Sequence, residues 1–248
     1  MPEKDKKEVA KKEEQSLAVR KSGKDGMPVG FEEVDMQQDI LMPRVAILQG
    51  TSELVLDGKG KVGELADSLS KEIFGIDFTF IPLYCFKTRC KFKVGEGLVC
   101  QSRNALTCTM NIDGTHHVGE SCMECKDAQW PEDQTAGGPE CSLVYNFPAI
   151  NASAIMSFPI AISLMKTSSK AGKKLISLAM RTGEDMFSRK YKLITDKRTN
   201  DKGTFAVADI ELAGKVTDEE YATAKRWFVS LRAKVVEVDL KGETPDFE

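Results

Sequence analysis

The sequence predicts a mainly β protein of the α+β class, with a mostly antiparallel sheet and two helices in the second half. Runs of Val, Ile, Phe, Tyr and Thr are separated by Gly, Asp and Asn, the pattern of short strands joined by turns. Two later stretches carry helix start signals and an apolar face. A chain of 248 residues, 41% of them hydrophobic, is long enough for one large domain.

The first part of the chain predicts strands and turns. Its strands alternate apolar with polar positions or form short apolar runs, and Asp57–Gly60 is a turn signal between two of them. The predicted strands, in order, are Pro43–Gln49 with its continuation Ser52–Leu56, Phe78–Tyr84, the runs that end at Cys100 and begin at Cys141, and Ala152–Leu164, where Pro159 favours an edge or a bulge. Cys85–Phe92, which follows Tyr84, is predicted as a strand or a loop.

The second part predicts two helices around a hairpin. Ser and Thr before an amphipathic stretch are typical helix N-caps, and a Gly after it is a typical helix end. The first helix is predicted to begin at the N-cap candidates Thr167–Ser169 and to run to about Met180, with Gly183 beyond its end. The hairpin is predicted to consist of strands Met186–Thr195 and Thr204–Leu212 around the turn Thr199–Gly203. The second helix is predicted to begin at the capping box Thr217–Glu220 and to run to about Lys234.

The two ends of the chain differ in composition from the middle. Residues 1–26 hold eight Lys or Arg, six Asp or Glu and few apolar side chains, which predicts a disordered charged tail. Residues 27–234 are then expected to form a single domain, and residues 235–248 an acidic C-terminal tail. No apolar run is long enough to span a membrane and no secretory signal is recognisable, so we expect a reducing cytoplasm, that of the host cell if the protein is viral.

A Cys-rich loop at about residues 100–141 is the most informative segment. It holds five of the seven cysteines and both histidines, within a Gly-, Pro- and acid-rich stretch that cannot form a core of its own. Cys122 and Cys125 form a CxxC pair whose sulfurs can face one tetrahedral ion, and Cys141 supplies a third thiolate, so a structural Zn²⁺ is predicted. The fourth ligand is open between Cys100, Cys108, His116 and His117. Cys100 is preferred, because adjacent strands would bring it beside Cys141.

Other interpretations of this loop are weaker. A redox CxxC normally follows a strand in a βαβ pattern, which is absent here. A disulfide framework does not fit an odd number of cysteines without a secretory signal. Zinc deaminases carry HxE and PCxxC, whereas this loop has no Glu at the required position after His116 and no Pro before Cys122. Ordinary free thiols are the remaining alternative.

Basic residues are concentrated in two β-rich segments. Residues 87–103 hold five basic residues and one acid, and residues 151–203 hold eleven basic residues and four acids, although the net charge of the chain is −3. Cations interleaved with aromatic rings are typical of surfaces that bind single-stranded nucleic acid. The candidates are Lys87, Arg89, Lys91 and Lys93 on one strand face, Lys170, Lys173 and Lys174 at the start of a helix, and Arg189 beside Tyr191. The alternative for any one ring is a place in the core.

The order of motifs resembles that of a family of tailed-bacteriophage proteins that bind single-stranded DNA or act in recombination. The similarity covers about Pro43 to Ala213 and includes PRVAILQGTSEL, LVCQS, the CxxC loop with a Trp, LVYNF, TSSKAGKKL and KYKLITDKRTNDKGTFAV. The resemblance implies an OB-like barrel over residues 27–234 and an acidic C-terminal tail that contacts replication or recombination proteins. It also implies zinc ligation by Cys100, Cys122, Cys125 and Cys141.

The resulting expectation is a protein that binds single-stranded DNA, largely independently of sequence, during phage replication or recombination. No catalytic centre is predicted, because the sequence lacks GxGxxG, GxxxxGK[ST] and GxSxG motifs and a convincing carboxylate cluster. A zinc-stabilised protein-interaction module and a metal-dependent nuclease or deaminase are the alternatives. The sequence leaves open whether the chain forms a homo-oligomer and whether it prefers DNA to RNA.

Overall fold

Within the part of the chain that the structure describes, eleven strands form one mixed sheet, which three α-helices accompany. The computed structural model describes residues 30, 34, 39–132, 137–200 and 203–232, and every helix and strand of these ranges lies in the unit formed by residues 41–248. The strands are β1 (Arg44–Ile47), β2 (Leu65–Asp67), β3 (Ile73–Gly75), β4 (Asp77–Pro82), β5 (Phe86–Lys93), β6 (Gly97–Ser102), β7 (Met110–Asn111), β8 (Cys141–Asn151), β9 (Ile160–Leu164), β10 (Arg189–Asn200) and β11 (Gly203–Lys215). The helices are α1 (Glu53–Leu56), α2 (Ser169–Thr182) and α3 (Asp218–Arg232).

Strand β8 joins the parts of this sheet. The main strand order is β11-β10-β4-β8-β9-β1-β2-β3, and β5, β6 and β7 extend from β8 in a branch. The first residues of β8 pair with β5 and its last residues pair with β4, while its other edge pairs with β9. These pairings are antiparallel, and β1 with β9 is a parallel pair, so the sheet is mixed. The described strands leave the sheet open.

Helix α2 covers the core side of β8. Its buried residues Ala171, Leu175 and Ala179 belong to the same apolar cluster as Phe147 and Tyr145 of β8. A Cβ atom on Gly172 would lie 2.9 Å from the Cβ of Tyr145. The helix backbone therefore lies directly against this tyrosine, at a distance that only glycine permits without a shift.

The ends of α2 and α3 follow from their local sequence. Gly183 caps α2 in the left-handed conformation, with φ of 65°. Thr217 and Glu220 form a reciprocal capping box at α3, since the Thr217 amide donates to Glu220 Oε2 (2.7 Å) and the Glu220 amide donates to Thr217 Oγ1 (3.2 Å). Burial opposes ionisation of Glu220, but its hydrogen bonds, that from Lys190 above all, lower the pKa of this carboxyl.

Most predicted elements are confirmed, with two corrections. Ser52–Leu56 is not a strand: Ser52 Oγ accepts the Gln49 amide (2.8 Å) and Ser52 stands at the start of the short helix α1. The predicted strand Ala152–Leu164 is reduced to β9, because β8 continues through Asn151 and residues 152–159 form turns and loop up to Pro159.

The structure does not describe the two predicted tails. Residues 1–26 and 235–248 lie outside the described residues, so both predictions stand untested. Among the residues that are described, no helix is long and apolar enough to cross a membrane.

Candidate metal centre and basic face

The Cys-rich loop is attached to three neighbouring strands. Lys91 of the middle strand β5 pairs with Cys100 of β6 on one side and with Cys141 of β8 on the other. The sequence predicted Cys100 and Cys141 on adjacent strands, but strand β5 lies between them. Directly paired residues of a sheet share a face, so both thiols and the Lys91 side chain lie on the side of the sheet that the loop covers.

Two further cysteines enter this region from a small ladder inside the loop. Thr107 and Ser121 form an antiparallel bridge; beside it the Cys108 amide donates to the Glu120 carbonyl and the Cys122 amide to the Leu106 carbonyl, both at 2.8 Å. The Sγ atoms of Cys100 and Cys108 lie 3.8 Å apart. Two thiolates on one tetrahedral Zn²⁺ are separated by about 3.8 Å, given Zn–S bonds of about 2.3 Å.

The buried thiols resist ionisation in the absence of a metal. Burial raises the pKa of Cys100 to about 12, and the hydrogen bond with Cys108 and the neighbouring Cys141 and Cys122 act in the same direction. Burial also raises the pKa of Cys141 to about 12. Such thiols are poor nucleophiles at neutral pH, whereas a coordinating Zn²⁺ would deprotonate them outright. Burial thus disfavours nucleophilic chemistry at Cys100 and Cys141.

A second donor group surrounds Cys125. His116, Cys125 and Asp127 each offer one ligand atom, and these atoms lie within 4.8 Å of one another. His116 Nε2 is 3.5 Å from Cys125 Sγ and 3.0 Å from Asp127 Oδ2. Sequence reasoning named His116 as an open fourth ligand but did not find Asp127, because only the fold brings that carboxylate back to the histidine.

Lys91 lies at the centre of these donors. Its Nζ is 2.6 Å from Asp127 Oδ2, 2.9 Å from Glu140 Oε2 and 3.9 Å from Asp113 Oδ2. Burial alone would lower the pKa of Lys91, but the hydrogen bonds to Asp127 and Glu140 outweigh it and raise the pKa. The positive charge is thus compensated by carboxylates and lies beneath the loop.

The four predicted cysteine ligands do not form one compact group among the described residues. Cys108, Cys141 and Cys122 lie close enough to Cys100 to raise the pKa of its thiol further. Cys125 approaches Cys141 in the same sense but also contacts His116. Among the described residues, the group of three donors whose ligand atoms lie within 4.8 Å of one another is His116, Cys125 and Asp127, so Cys125 is the one predicted ligand that belongs to it. His117 has no described contact that brings it into this group.

The predicted nucleic-acid residues divide into two classes. One class is paired with carboxylates: Lys91 with Asp127 and Glu140, Lys93 with Asp113 (2.9 Å), Lys174 with Asp209 (2.9 Å) and Arg189 with Glu184 (2.9 Å). The other class has no carboxylate partner among the described residues and comprises Lys87, Arg89, Lys170 and Lys173. We call these four residues the basic face.

Strand β5 and helix α2, which carry the basic face, both contact Tyr145. Lys87 pairs with Tyr145 across β5 and β8, and its Nζ lies 5.5 Å from the tyrosine ring centroid. Helix α2 crosses the same tyrosine at Gly172, the neighbour of Lys173. Arg89 donates one long hydrogen bond, of 3.4 Å, to the Cys141 carbonyl, and its buried Nε has no partner within the part of the chain that is described.

Tyr191 is a core residue, which corrects the prediction of a stacking ring. Its side chain is fully buried, 6.2 Å from Phe80 between ring centroids, and Arg189 beside it is occupied by Glu184. The alternation of β10 placed Tyr191 on one face, but the sequence could not tell which face meets the core. In this conformation the ring cannot stack on a base.

These observations define a mainly β protein with an open mixed sheet, a Cys-rich loop that is a candidate metal centre, and a basic face whose charges have no carboxylate partner among the described residues. The chain belongs to the family of Pam3 phage gp34-like proteins, whose model matches residues 10–237. This confirms the phage character that the motif order implied. Comparison with curated proteins gives no match, and comparison with solved structures gives none either.

Proposed function

We propose that this protein binds single-stranded DNA through the basic face. The observation that carries the proposal is that Lys87, Arg89, Lys170 and Lys173 have no carboxylate partner among the described residues, with Lys87 over the Tyr145 ring and the two other lysines exposed on the helix that packs on this tyrosine. Like charges gathered on one surface are unfavourable unless they are solvated or meet an anion. The phosphates of a nucleic-acid strand are a fitting anion, and the membership of a phage protein family is consistent with work on DNA.

A proposal of single-strand rather than duplex binding rests on the shape of the face. It is the exposed side of a sheet strand and a helix, where a flexible strand can pass Lys87 of β5 and the exposed Lys170 and Lys173 of α2, rather than a projecting helix or ribbon that enters a major groove. An OB-like closure of the sheet is part of the proposal. It is supported by Gln49 at the end of β1, which donates to the Ala206 carbonyl of β11 and accepts the Ala206 amide, both at 2.9 Å.

We further propose a structural role for Zn²⁺, with Cys100, Cys122, Cys125 and Cys141 as ligands and Cys108 as the rival for one place. The metal would fix the loop over Lys91 and so hold the Cys141 end of β8 next to β5 and β6. A role in replication or recombination, contacts to partner proteins through the C-terminal residues 235–248, and a binding rather than catalytic activity complete the proposal.

The test compares two neighbouring lysines of α2. Lys173 has no carboxylate partner among the described residues, whereas Lys174 is held by Asp209, so K173Q and K174Q form a matched pair. If Lys173 contacts a phosphate, K173Q weakens binding to labelled oligothymidine and reduces the salt slope by about 0.7 units. K174Q is expected to change both quantities less.

A K87Q R89Q double variant extends the test to β5, with a reduction of about 1.4 units in the salt slope. Affinity is measured by fluorescence anisotropy at several salt concentrations, together with melting temperature. Wild-type affinity for single strands that is no better than for duplex would overturn the proposal. Turnover of the oligonucleotide with added divalent metal would overturn the non-catalytic part.

A protein-interaction module is the second candidate, favoured by the outer surface of the loop. Large apolar side chains are exposed there, among them Leu106, Ile112, Val118 and Met123. Exposed apolar patches of this kind mark interaction sites. A protein that fails to bind any nucleic acid while retaining zinc and fold would favour this candidate.

A further inference from the structure

We infer that Trp130 is the base-stacking ring of the proposed nucleic-acid site. This inference rests on the proposed single-strand binding and deepens it, since it supplies the aromatic partner that Tyr191 does not provide. Binding of single strands normally combines cations along the backbone with rings on which bases stack. The basic face provides the cations, and its own ring, Tyr145, is buried beneath α2.

Trp130 differs from every other described aromatic residue in its exposure. Its side chain is 72% exposed, and every other aromatic residue of the described ranges is buried or half-buried. Aromatic side chains contribute large apolar areas when they are buried. The fold makes little use of that area at position 130, so the flat face of the indole remains available to a ligand.

Hydrogen bonds hold the backbone before Trp130 in a defined turn. The Ala128 amide donates to the Cys125 carbonyl and the Gln129 amide donates to the Lys126 carbonyl, both at 3.1 Å, in a 3-10 turn. The Gln129 side chain also donates to the Met123 carbonyl at 3.3 Å. The indole therefore follows directly on the CxxC segment, so that the proposed zinc staple also positions the stacking ring.

Trp130 lies within reach of a strand bound at the basic face. The turn at 126–128 contacts β8, and its Asp127 binds Lys91 of β5. Lys87 is four residues from Lys91 along β5, or about 13 Å at a rise of about 3.3 Å per residue. Single-strand sites of about 4–16 nucleotides are long enough to extend from Lys87 to the loop.

The charges near Trp130 permit this path. Lys126, four residues earlier, is exposed and has no carboxylate partner among the residues described. Exposed Glu124 and Glu132 flank the same segment. They disfavour phosphate contacts directly at the ring, which suits a site where the base, rather than the backbone, meets the protein.

The experiment uses the full chain and exploits its two tryptophans. Trp227 packs edge-on against Phe158, with ring centroids 5.5 Å apart, so W227F leaves Trp130 as the only indole. Unlabelled oligothymidine is titrated into W227F while tryptophan emission is followed. Labelled oligothymidine is then titrated with wild type, W130A, W130F and M123A, with melting temperature and zinc content measured on the same samples.

The inference predicts that W227F emission is quenched on binding and that W130A binds about 5- to 150-fold more weakly, equivalent to about 1–3 kcal/mol, with an unchanged salt slope. W130F is expected to recover part of the affinity. M123A removes a side chain of similar exposure, 65%, from the same loop and should bind like wild type.

Wild-type affinity in W130A, or unquenched emission in W227F at saturation, would overturn the inference while leaving single-strand binding in place. Failure of the wild-type protein to bind oligothymidine would overturn the proposed function and this inference together. An equal loss in M123A would assign the effect to loop packing and also overturn the stacking role.

Discussion

Tyr191 provides a sharp test of the core, because its ring and its hydroxyl make separate predictions. The side chain is fully buried in β10, and its Oη has no hydrogen-bond partner in the described part of the chain. Burial accordingly raises the pKa of this phenol. A buried unpaired polar group costs about 1–3 kcal/mol, so Y191F, which removes only the hydroxyl, should stabilise the protein by about 1 kcal/mol.

Removing the ring has the opposite effect. Truncation of a large buried aromatic residue to alanine costs about 3–5 kcal/mol. For a domain of this size each kcal/mol corresponds to about 2–4 °C in melting temperature. By the same conversion, Y191A should melt about 6–20 °C below wild type, and Y191F about 2–4 °C above it.

Thermal unfolding followed by circular dichroism measures both variants, and oligothymidine affinity is measured on the same samples below the melting transition. Both variants should bind as wild type when folded. A Y191F protein that melts lower than wild type would show that the hydroxyl has a stabilising partner. A Y191A protein that keeps its melting temperature but loses affinity would return Tyr191 to the binding surface.

Three further outcomes are expected. Purified protein should hold about one Zn²⁺ per chain, and C125S should lose most of it and increase proteolysis of the loop; a full zinc content in C125S would exclude this ligand. G172A should lose about 1–2 kcal/mol in urea unfolding despite the better helix propensity of Ala, because its Cβ would lie 2.9 Å from Tyr145 Cβ; an unchanged midpoint would show that the helix shifts freely. Because folding lowers the pKa of Glu220, its ionised carboxylate stabilises the folded state at pH values above the pKa of an unfolded Glu, and this stabilisation is lost as the pH falls below about 4. T217A, which removes the cap, should lower the free energy of unfolding by about 1 kcal/mol at neutral pH. A T217A variant that unfolds in urea at the wild-type midpoint would show that the cap contributes nothing.

The sequence by itself determined the elements whose signals are local. The capping box at Thr217, the glycine end of α2 and the alternation of β5 depend on residues within a few positions of one another, and each appears in the structure. The signals of Ser52–Leu56 were local as well, but a short apolar run is compatible with both a strand and a helical turn. The turn that begins at Ser52 makes this segment a short helix.

The tertiary structure decided which side chains are available to a ligand. Lys87 and Lys91 occupy the same strand face, yet one is open to solvent and the other is enclosed by Asp127 and Glu140, which lie far along the chain. Lys173 and Lys174 are neighbours, yet Asp209 of another strand holds one of them. Charge compensation depends on distances between remote residues, and those distances exist only once the sheet has formed.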